Sequence, residues 1–121
     1  MVTAGILLVD DHAGFRRMAR RLLEAGGLDV VGEAADGGEA LARARELRPK
    51  VVVLDVLLPD IDGFAVAEKL AEFPDPPKVV LISSHSLSEL GGKIDTTRVR
   101  GFLAKDELTA QRLAELAGLR T

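Results

Sequence analysis

Five short apolar runs, each followed by a longer stretch with apolar residues at helical spacing, constrain this chain more than any other feature. The runs cover 5–9, 29–32, 51–54, 79–82 and 102–104, the last preceded by Gly101. They are rich in Val, Leu and Ile with little polar alternation, as expected of strands covered on both faces. Between and after them, one helical face is marked by Phe15, Met18, Leu22 and Leu23, by Ala40, Leu41, Ala44 and Leu47, by Val66, Leu70 and Phe73, and by Leu113, Leu116 and Ala117. Strict alternation of this kind predicts an α/β fold: a doubly wound five-stranded parallel sheet, order 2-1-3-4-5, with five helices and right-handed crossovers.

The punctuation agrees. Gly26-Gly27 stops the first helix, Asp36 with Glu39 has capping-box spacing for the second, Pro49 ends it, and Pro74, Pro76 and Pro77 close the third. The fourth helical stretch, 87–94, is the weak one. Ser86 and Glu89 can cap its start, but Gly91 and Gly92 each cost about 1 kcal/mol relative to Ala, so a short, bent or mobile helix is expected there. No repeat, low-complexity tract or linker interrupts the 121 residues, which predicts one domain over 1–121. A chain of this size buries roughly two-thirds of its unfolded surface, and 47% hydrophobic residues can fill its core.

Composition removes several classes of function. The absence of Cys excludes a disulfide framework, thiolate metal ligands and a thiol nucleophile. Aromatic residues make up 3% and the formal charge is −3, so neither base-stacking surfaces nor a basic footprint for nucleic acid is present. The apolar run at the start is far shorter than the ~18 residues of a spanning helix. A soluble, unprocessed cytoplasmic chain without membrane or direct nucleic-acid contact is therefore expected.

Polar residues gather where the apolar runs end: Asp10 and Asp11 after the first, Asp55 after the third, Ser83 after the fourth and Lys105 after the fifth. Open α/β sheets bind ligands beyond the carboxyl ends of their strands, where the strand order reverses. With order 2-1-3-4-5 that point lies between strands one and three, and Asp10, Asp11 and Asp55 converge on it. Their mutual repulsion calls for a cation, and an oxygen-rich, sulfur-free site suits Mg²⁺. Asp10, Asp11, Asp55 and Lys105 sum to −2, which one such ion neutralises. Were Asp55 the nucleophile, its acyl phosphate could be held by the ion, Lys105 and the Ser83 hydroxyl. Taken singly these residues are ordinary: an Asp after a strand is often a helix cap, Ser83 a loop hydroxyl, Lys105 a solvated charge. Their joint placement at four strand ends carries the information.

The stretches Leu8-Val9-Asp10-Asp11-His12, Val53 through Gly63 with Asp55 and Pro59, Ile82-Ser83-Ser84 and Gly101-Phe102-Leu103-Ala104-Lys105 resemble the receiver domain of two-component response regulators. Asp-Asp-His, Val31-Gly32-Glu33-Ala34 and Lys105-Asp106 are most similar to receivers of the NarL/FixJ type. The resemblance implies a flavodoxin-like receiver fold and phosphorylation of Asp55 by a histidine kinase, with output through a changed affinity for an unidentified protein partner. It implies Mg²⁺ held by Asp11, Asp55 and the backbone carbonyl of Leu57, with Asp10 acting through water. It gives Lys105 and Ser83 the phosphoryl oxygens, and Ser83 and Phe102 the switch. Such a domain is a signalling module and at most catalyses its own phosphorylation and dephosphorylation; whether it forms homodimers on phosphorylation is left open.

Two positions depart from the family. Asp106 stands where many receivers have Pro, so no cis bond is expected after Lys105, and 90–100 lacks the usual Ala- and Gly-containing approach to the fifth strand, which bears on the helix-four signalling face. His12 and His85 lack the further ligands that a zinc site needs; His12 is read as part of the start of helix one, and His85 as a modulator of acyl-phosphate hydrolysis. Arg16, Arg17, Arg20 and Arg21 form a basic stripe, read as a solvated face or, by resemblance, as a kinase docking edge. Two rival functions remain. A haloacid-dehalogenase-like phosphatase or phosphotransferase also uses a strand-end Asp but needs a second Asp two residues on, where this chain has Leu57. A phosphorylation-independent interaction module is the other. The last helix, 108–119, leaves only Arg120 and Thr121 for an output domain, so a stand-alone receiver and an excised fragment are both open.

Overall fold

A computed structural model of the chain describes residues 5–86, 89 and 98–119. Five parallel strands, β1 (Gly5–Val9), β2 (Asp29–Ala34), β3 (Val51–Asp55), β4 (Lys78–Ser83) and β5 (Gly101–Ala104), form one sheet in the order β2-β1-β3-β4-β5. The predicted strands are all present, each within two residues of its expected ends. Four α-helices are seen among the described residues: α1 (Ala13–Ala25), α2 (Gly37–Leu47), α3 (Gly63–Ala71) and α4 (Ala110–Ala117). The expected helix at 87–94, and most of the 90–100 signalling segment, lie outside the described residues. Ser86 and Glu89 bond reciprocally: the Ser86 amide donates to Glu89 Oε1 at 2.8 Å and the Glu89 amide to Ser86 Oγ at 3.2 Å.

Side-chain alternation along the strands builds two cores. Ile6, Leu8, Val51, Val53, Val80, Ile82 and Leu103 pack under α1 and α4, while Leu7, Val9, Val52, Leu54, Val79 and Leu81 pack under α2 and α3. A one-residue slip of a central strand would exchange these two sets. β2 departs from the expectation of strands covered on both faces. It lies at the sheet edge with alternating exposure, Val30 buried and Val31 36% exposed.

The helix ends follow local chemistry. Gly26 caps α1 and Gly27 takes φ +88°, a left-handed conformation that glycine adopts without strain. Asp36 accepts from the Glu39 amide at 2.7 Å, and Glu39 reaches back to the Ala35 amide at 2.8 Å, one residue earlier than a standard capping box. Phe73 falls beyond α3 rather than on it. The last helix starts later than predicted because a 3₁₀ turn at Lys105–Glu107 intervenes and Thr109 accepts the Arg112 amide at 3.0 Å as the cap. All described peptide bonds are trans, including that before Asp106.

Candidate functional site

Strand register alone brings the polar strand ends together. Val9 pairs with Leu54, so Asp10 and Asp55 stand level on neighbouring strands. Asp55 pairs with Ile82 and Ser83 with Ala104, so Ser83 and then Lys105 each lie one residue further along. By alternation Asp10, Asp55 and Lys105 continue the α1/α4 side of the sheet, whereas Ser83 and Phe102 continue the α2/α3 side, and Phe102 packs against that second core.

The two carboxylates on the first side are buried, Asp10 at 0% and Asp55 at 3% exposure. The Lys105 ammonium lies 2.6 Å from Asp10 Oδ2 and 3.2 Å from Asp55 Oδ2, so the long side chain has closed the two-strand gap. Its Nζ also sits 4.8 Å from the centre of the Phe15 ring, a cation–π contact that holds the side chain over the crevice. The Leu57 amide donates to Asp55 Oδ1 at 3.2 Å. Burial pushes the Asp55 carboxyl above the ordinary carboxylate range and Asp10 adds to this, against the Leu57 amide and Lys105. Burial pulls the Lys105 ammonium down, but its contacts with Asp10 and Asp55 outweigh that and leave it raised.

Asp11 is exposed at the mouth of the crevice. One donor atom each from Asp10, Asp11, His12 and Asp55 lies within 4.8 Å of the others. Asp10 tests whether this cluster fits a cation. Its Oδ2 is buried against the Lys105 ammonium at 2.6 Å, and that one cation serves both Asp10 and Asp55. One ammonium facing Asp10, Asp11 and Asp55 leaves net negative charge in the crevice, and a hard divalent ion among carboxylates relieves it. The donor set fits.

Ser83 is fully buried, and its Oγ accepts the His85 amide at 3.0 Å. Among the described residues it makes no hydrogen bond to Asp55, being on the other side of the sheet. The hydroxyl proton of Ser83 is therefore uncommitted by that bond.

Three supports of the site act through contacts that sequence reasoning did not give, although it placed Gly63 in the loop after Asp55 and Glu33 in a family-like stretch. Asp60, in the loop after Asp55, accepts the Gly37 amide at 2.8 Å and the Gly38 amide at 2.9 Å, pinning the loop to the first turn of α2. These bonds hold the Asp60 carboxyl below its usual range. Gly63 closes the same loop, its amide bonded to Val56 O at 2.7 Å, and a Cβ there would collide with Asp55 O and lie 2.8 Å from Val56 Cα. Glu33, whose carboxylate takes Arg16 Nε at 3.0 Å and Arg20 Nη1 at 2.9 Å, ties α1 to β2 while Arg16 also bonds the carbonyl of Asp10. The partners of Asp60 and Glu33 are 13 to 23 residues away, and nothing local in the sequence signals them. The basic stripe thus divides: Arg16 and Arg20 are engaged, and exposed Arg17 and Arg21 flank Met18.

A doubly wound sheet with an acidic crevice at its strand-order reversal and a lysine closing it defines a receiver-type signalling domain. The comparisons with known proteins agree: residues 6–117 match the response regulator receiver domain, and the chain belongs to that family. It is 34% identical over 117 residues to a putative transcriptional regulator of Pseudomonas aeruginosa, covering 93% of this chain and 56% of that one. It is 40% identical over 116 residues to a protein-glutamate methylesterase/protein-glutamine glutaminase of Myxococcus xanthus, covering 93% of this chain and 33% of that one. The chain therefore spans about half or less of these relatives. Among solved structures, the receiver domain of the putative response regulator NarL from Mycobacterium tuberculosis superposes with a TM-score of 0.82 at 31% identity, covering 99% of this chain and all of that one. A LuxR-family response regulator from Aurantimonas gives 0.83 at 35%, covering 98% and 89%. No described helix is long and apolar enough to cross a membrane.

Proposed function

We propose that this receiver takes a phosphoryl group onto Asp55 from the phosphohistidine of a sensor histidine kinase, in the cytoplasm, and that the acyl phosphate changes its affinity for a protein partner. The observation that carries this reading is the buried Asp55 carboxylate, paired at 3.2 Å with Lys105 and opening onto the cluster of Asp10, Asp11 and His12. Asp11, Asp55 and the Leu57 carbonyl would hold Mg²⁺, with Asp10 acting through water; the ion supplies positive charge to the transferring phosphoryl oxygens.

An ionised Asp55 oxygen attacks phosphorus, the P–N bond breaks, and its electron pair stays with the donor imidazole. Lys105 and the Leu57 amide favour the ionised form of Asp55, opposing the larger effect of burial. After transfer its ammonium pairs with the new phosphoryl oxygens and leaves Asp10. The Ser83 hydroxyl can donate its proton to a phosphoryl oxygen while still accepting from His85, and Phe102, on the same side of the sheet, responds to that shift. Exposed Arg17, Met18 and Arg21 offer the docking edge for the kinase. Leu57 supplies no carboxylic acid, which disfavours a phosphatase of the haloacid-dehalogenase kind.

The test is incubation with acetyl phosphate and Mg²⁺, read by intact mass. One phosphoryl group is expected on the wild type and none on Asp55→Asn. Equal incorporation in the variant overturns the assignment, and none in either favours an unphosphorylated interaction module. Sedimentation of the phosphorylated sample shows whether a homodimer is the output.

A further inference from the structure

At the end of the sheet away from Asp55, cations gather without partners. Arg45, Arg48, Lys50, Lys69 and Lys78 line a groove beside the carboxyl ends of α2 and α3, and Arg98 and Arg100 line an adjoining hollow that shares Pro76, Pro77 and Lys78 with it. Seven basic side chains thus meet two acidic ones, Glu72 and Asp75, in a chain whose formal charge is −3. None of the seven is in an ion pair among the described residues, whereas Arg16, Arg20, Arg43 and Lys105 all are. Strand order sets three of them side by side: Lys50 and Arg100 immediately precede β3 and β5, and Lys78 opens β4 between them. Their backbones are held, the Lys50 amide by Gly5 O at 2.8 Å, the Lys78 amide by Lys50 O at 2.9 Å and the Arg100 amide by Val79 O at 2.7 Å. With neighbouring strands about 4.8 Å apart, this is a fixed row of charge about 10 Å across.

Helix ends account for part of this charge. Arg45 and Lys69 lie in the last turns of α2 and α3 and Arg48 caps α2, where cations offset the negative end of a helix dipole. Lys50 and Arg100, at strand starts, have no such reason to be basic. Arg48 goes further. It is the only described non-glycine residue at positive φ, +47°, in a left-handed cap that glycine would fill without strain. Its side chain makes no hydrogen bond or ion pair that would offset the strain, so the fold itself does not explain the cation there. Between the charges the floor is apolar, with Leu41, Phe73, Pro77 and Leu119 half-buried.

We propose that this groove docks an acidic protein segment with interleaved apolar residues, its carboxylates on the cations and its apolar side chains on the floor, and that the unphosphorylated chain does so. Charge complementarity calls for a polyanion, and the floor selects which. A nucleic-acid backbone brings no apolar side chains, and the one aromatic ring lining the groove, Phe73, already carries Arg45 at 5.2 Å instead of a base. A lipid surface is broad and does not enter a groove. Five residues of β3, about 16 Å, separate Lys50 from Asp55. The docking is therefore a constitutive tether beside the switched output, and it does not rest on the reading of Asp55 as phosphoacceptor.

The experiment follows the fluorescence anisotropy of two labelled twelve-residue peptides titrated with the full, unphosphorylated chain, one of Glu alone and one with Leu at every third position. The Leu-containing peptide is expected to bind about threefold or more tightly than the other, with an affinity that falls as salt rises. Replacing three cations together, Lys50→Gln, Lys69→Gln and Arg100→Gln, is expected to weaken it about tenfold or more. Arg112→Gln, which removes an exposed, unpaired cation of α4 outside the groove, should stay within about twofold. Arg48→Gly relieves the strained cap, so its melting temperature should stay near that of the wild type while binding weakens about threefold; a purely structural Arg48 would leave the affinity unmoved. Equal affinity for the two peptides, an equal loss in Arg112→Gln, or no binding of either peptide overturns the proposal. Tighter binding of an oligothymidylate of the same length, or of phosphatidylglycerol vesicles, overturns it in favour of a nucleic acid or a membrane.

Discussion

The two ends of the same sheet make opposite uses of charge. At the carboxyl ends of the strands, Asp10 and Asp55 are buried with Lys105 against them. At the amino ends, α2, α3 and the Pro74–Pro77 turn surround a cavity of about 960 Å³ whose charged lining is mainly basic, Arg45, Arg48, Lys50, Lys69 and Lys78 against Glu72 and Asp75. Volume alone would draw attention to the second. Yet its cations lie at the surface, and none is in an ion pair among the described residues; Arg45 instead covers the Phe73 ring at 5.2 Å. Helix carboxyl ends point to this side of the sheet, and basic residues there offset their negative partial charge. Volume therefore locates a groove, whereas buried charge locates chemistry, because a charge is kept out of water at a cost that only structure or function offsets.

Five substitutions would break or sharpen that contrast. Lys105→Ala leaves two buried carboxylates uncompensated and is expected to destabilise the metal-free domain by about 3 kcal/mol in a denaturant melt; divalent cation should restore part of it. The variant should still accept phosphate but not alter partner binding, and wild-type-like partner binding would count against a switch role for Lys105. Gly63→Ala drives a methyl group into the Asp55 carbonyl and should cost about 2 kcal/mol, whereas Gly14→Ala, with nothing within 4 Å of the new methyl, should be neutral or slightly stabilising.

Asp55→Asn comes next, with the opposite sign. Because burial raises the Asp55 pKa in the folded state, ionising it costs stability as pH rises through that raised value. The variant should therefore be more stable than the metal-free wild type at neutral pH, on the order of 1 kcal/mol. The gain should vanish below the unfolded carboxylate pKa of about 3.9 and be reversed by a cation that binds only the wild type. A thermal scan at several pH values reads this, and a loss of stability at pH 7 would contradict it. Smallest is Arg48→Ala at the amino end, expected to change stability by less than about 0.5 kcal/mol; a larger loss would show that the basic groove is more than surface.

Asp60 offers a further pH signature without a contrast partner. Its carboxyl is held low by the Gly37 and Gly38 amides, so their protection from hydrogen exchange should persist above the ordinary carboxylate pKa and fade as pH falls through the lowered folded value. Protection unchanged across that range would mean that the two bonds add nothing to α2.

Much of this was legible in the chain. Alternating runs gave strand and helix order, since period and β-branched content reflect local burial, and strand ends named Asp10, Asp55, Ser83 and Lys105. Register then explains what the chain could not: Asp10, Asp55 and Lys105 share one side of the sheet and Ser83 and Phe102 the other. The late start of α4 behind its 3₁₀ turn and the turning of His12 from helix cap to crevice were likewise invisible, as each depends on neighbours distant in sequence or on a choice between local partners.

By itself, then, the sequence determined the succession of elements, the capping residues and the polar strand ends, because each is set by interactions within a few residues along the chain. Only the tertiary structure decided that Lys105 bridges Asp10 and Asp55, that Asp60 pins the loop to α2, and that Arg16 and Arg20 of the basic stripe are spent on Glu33. Those pairings join residues 13 to 95 positions apart, with 95 the difference between 105 and 10, and their strength comes from distances and burial that exist only once the sheet has closed its register.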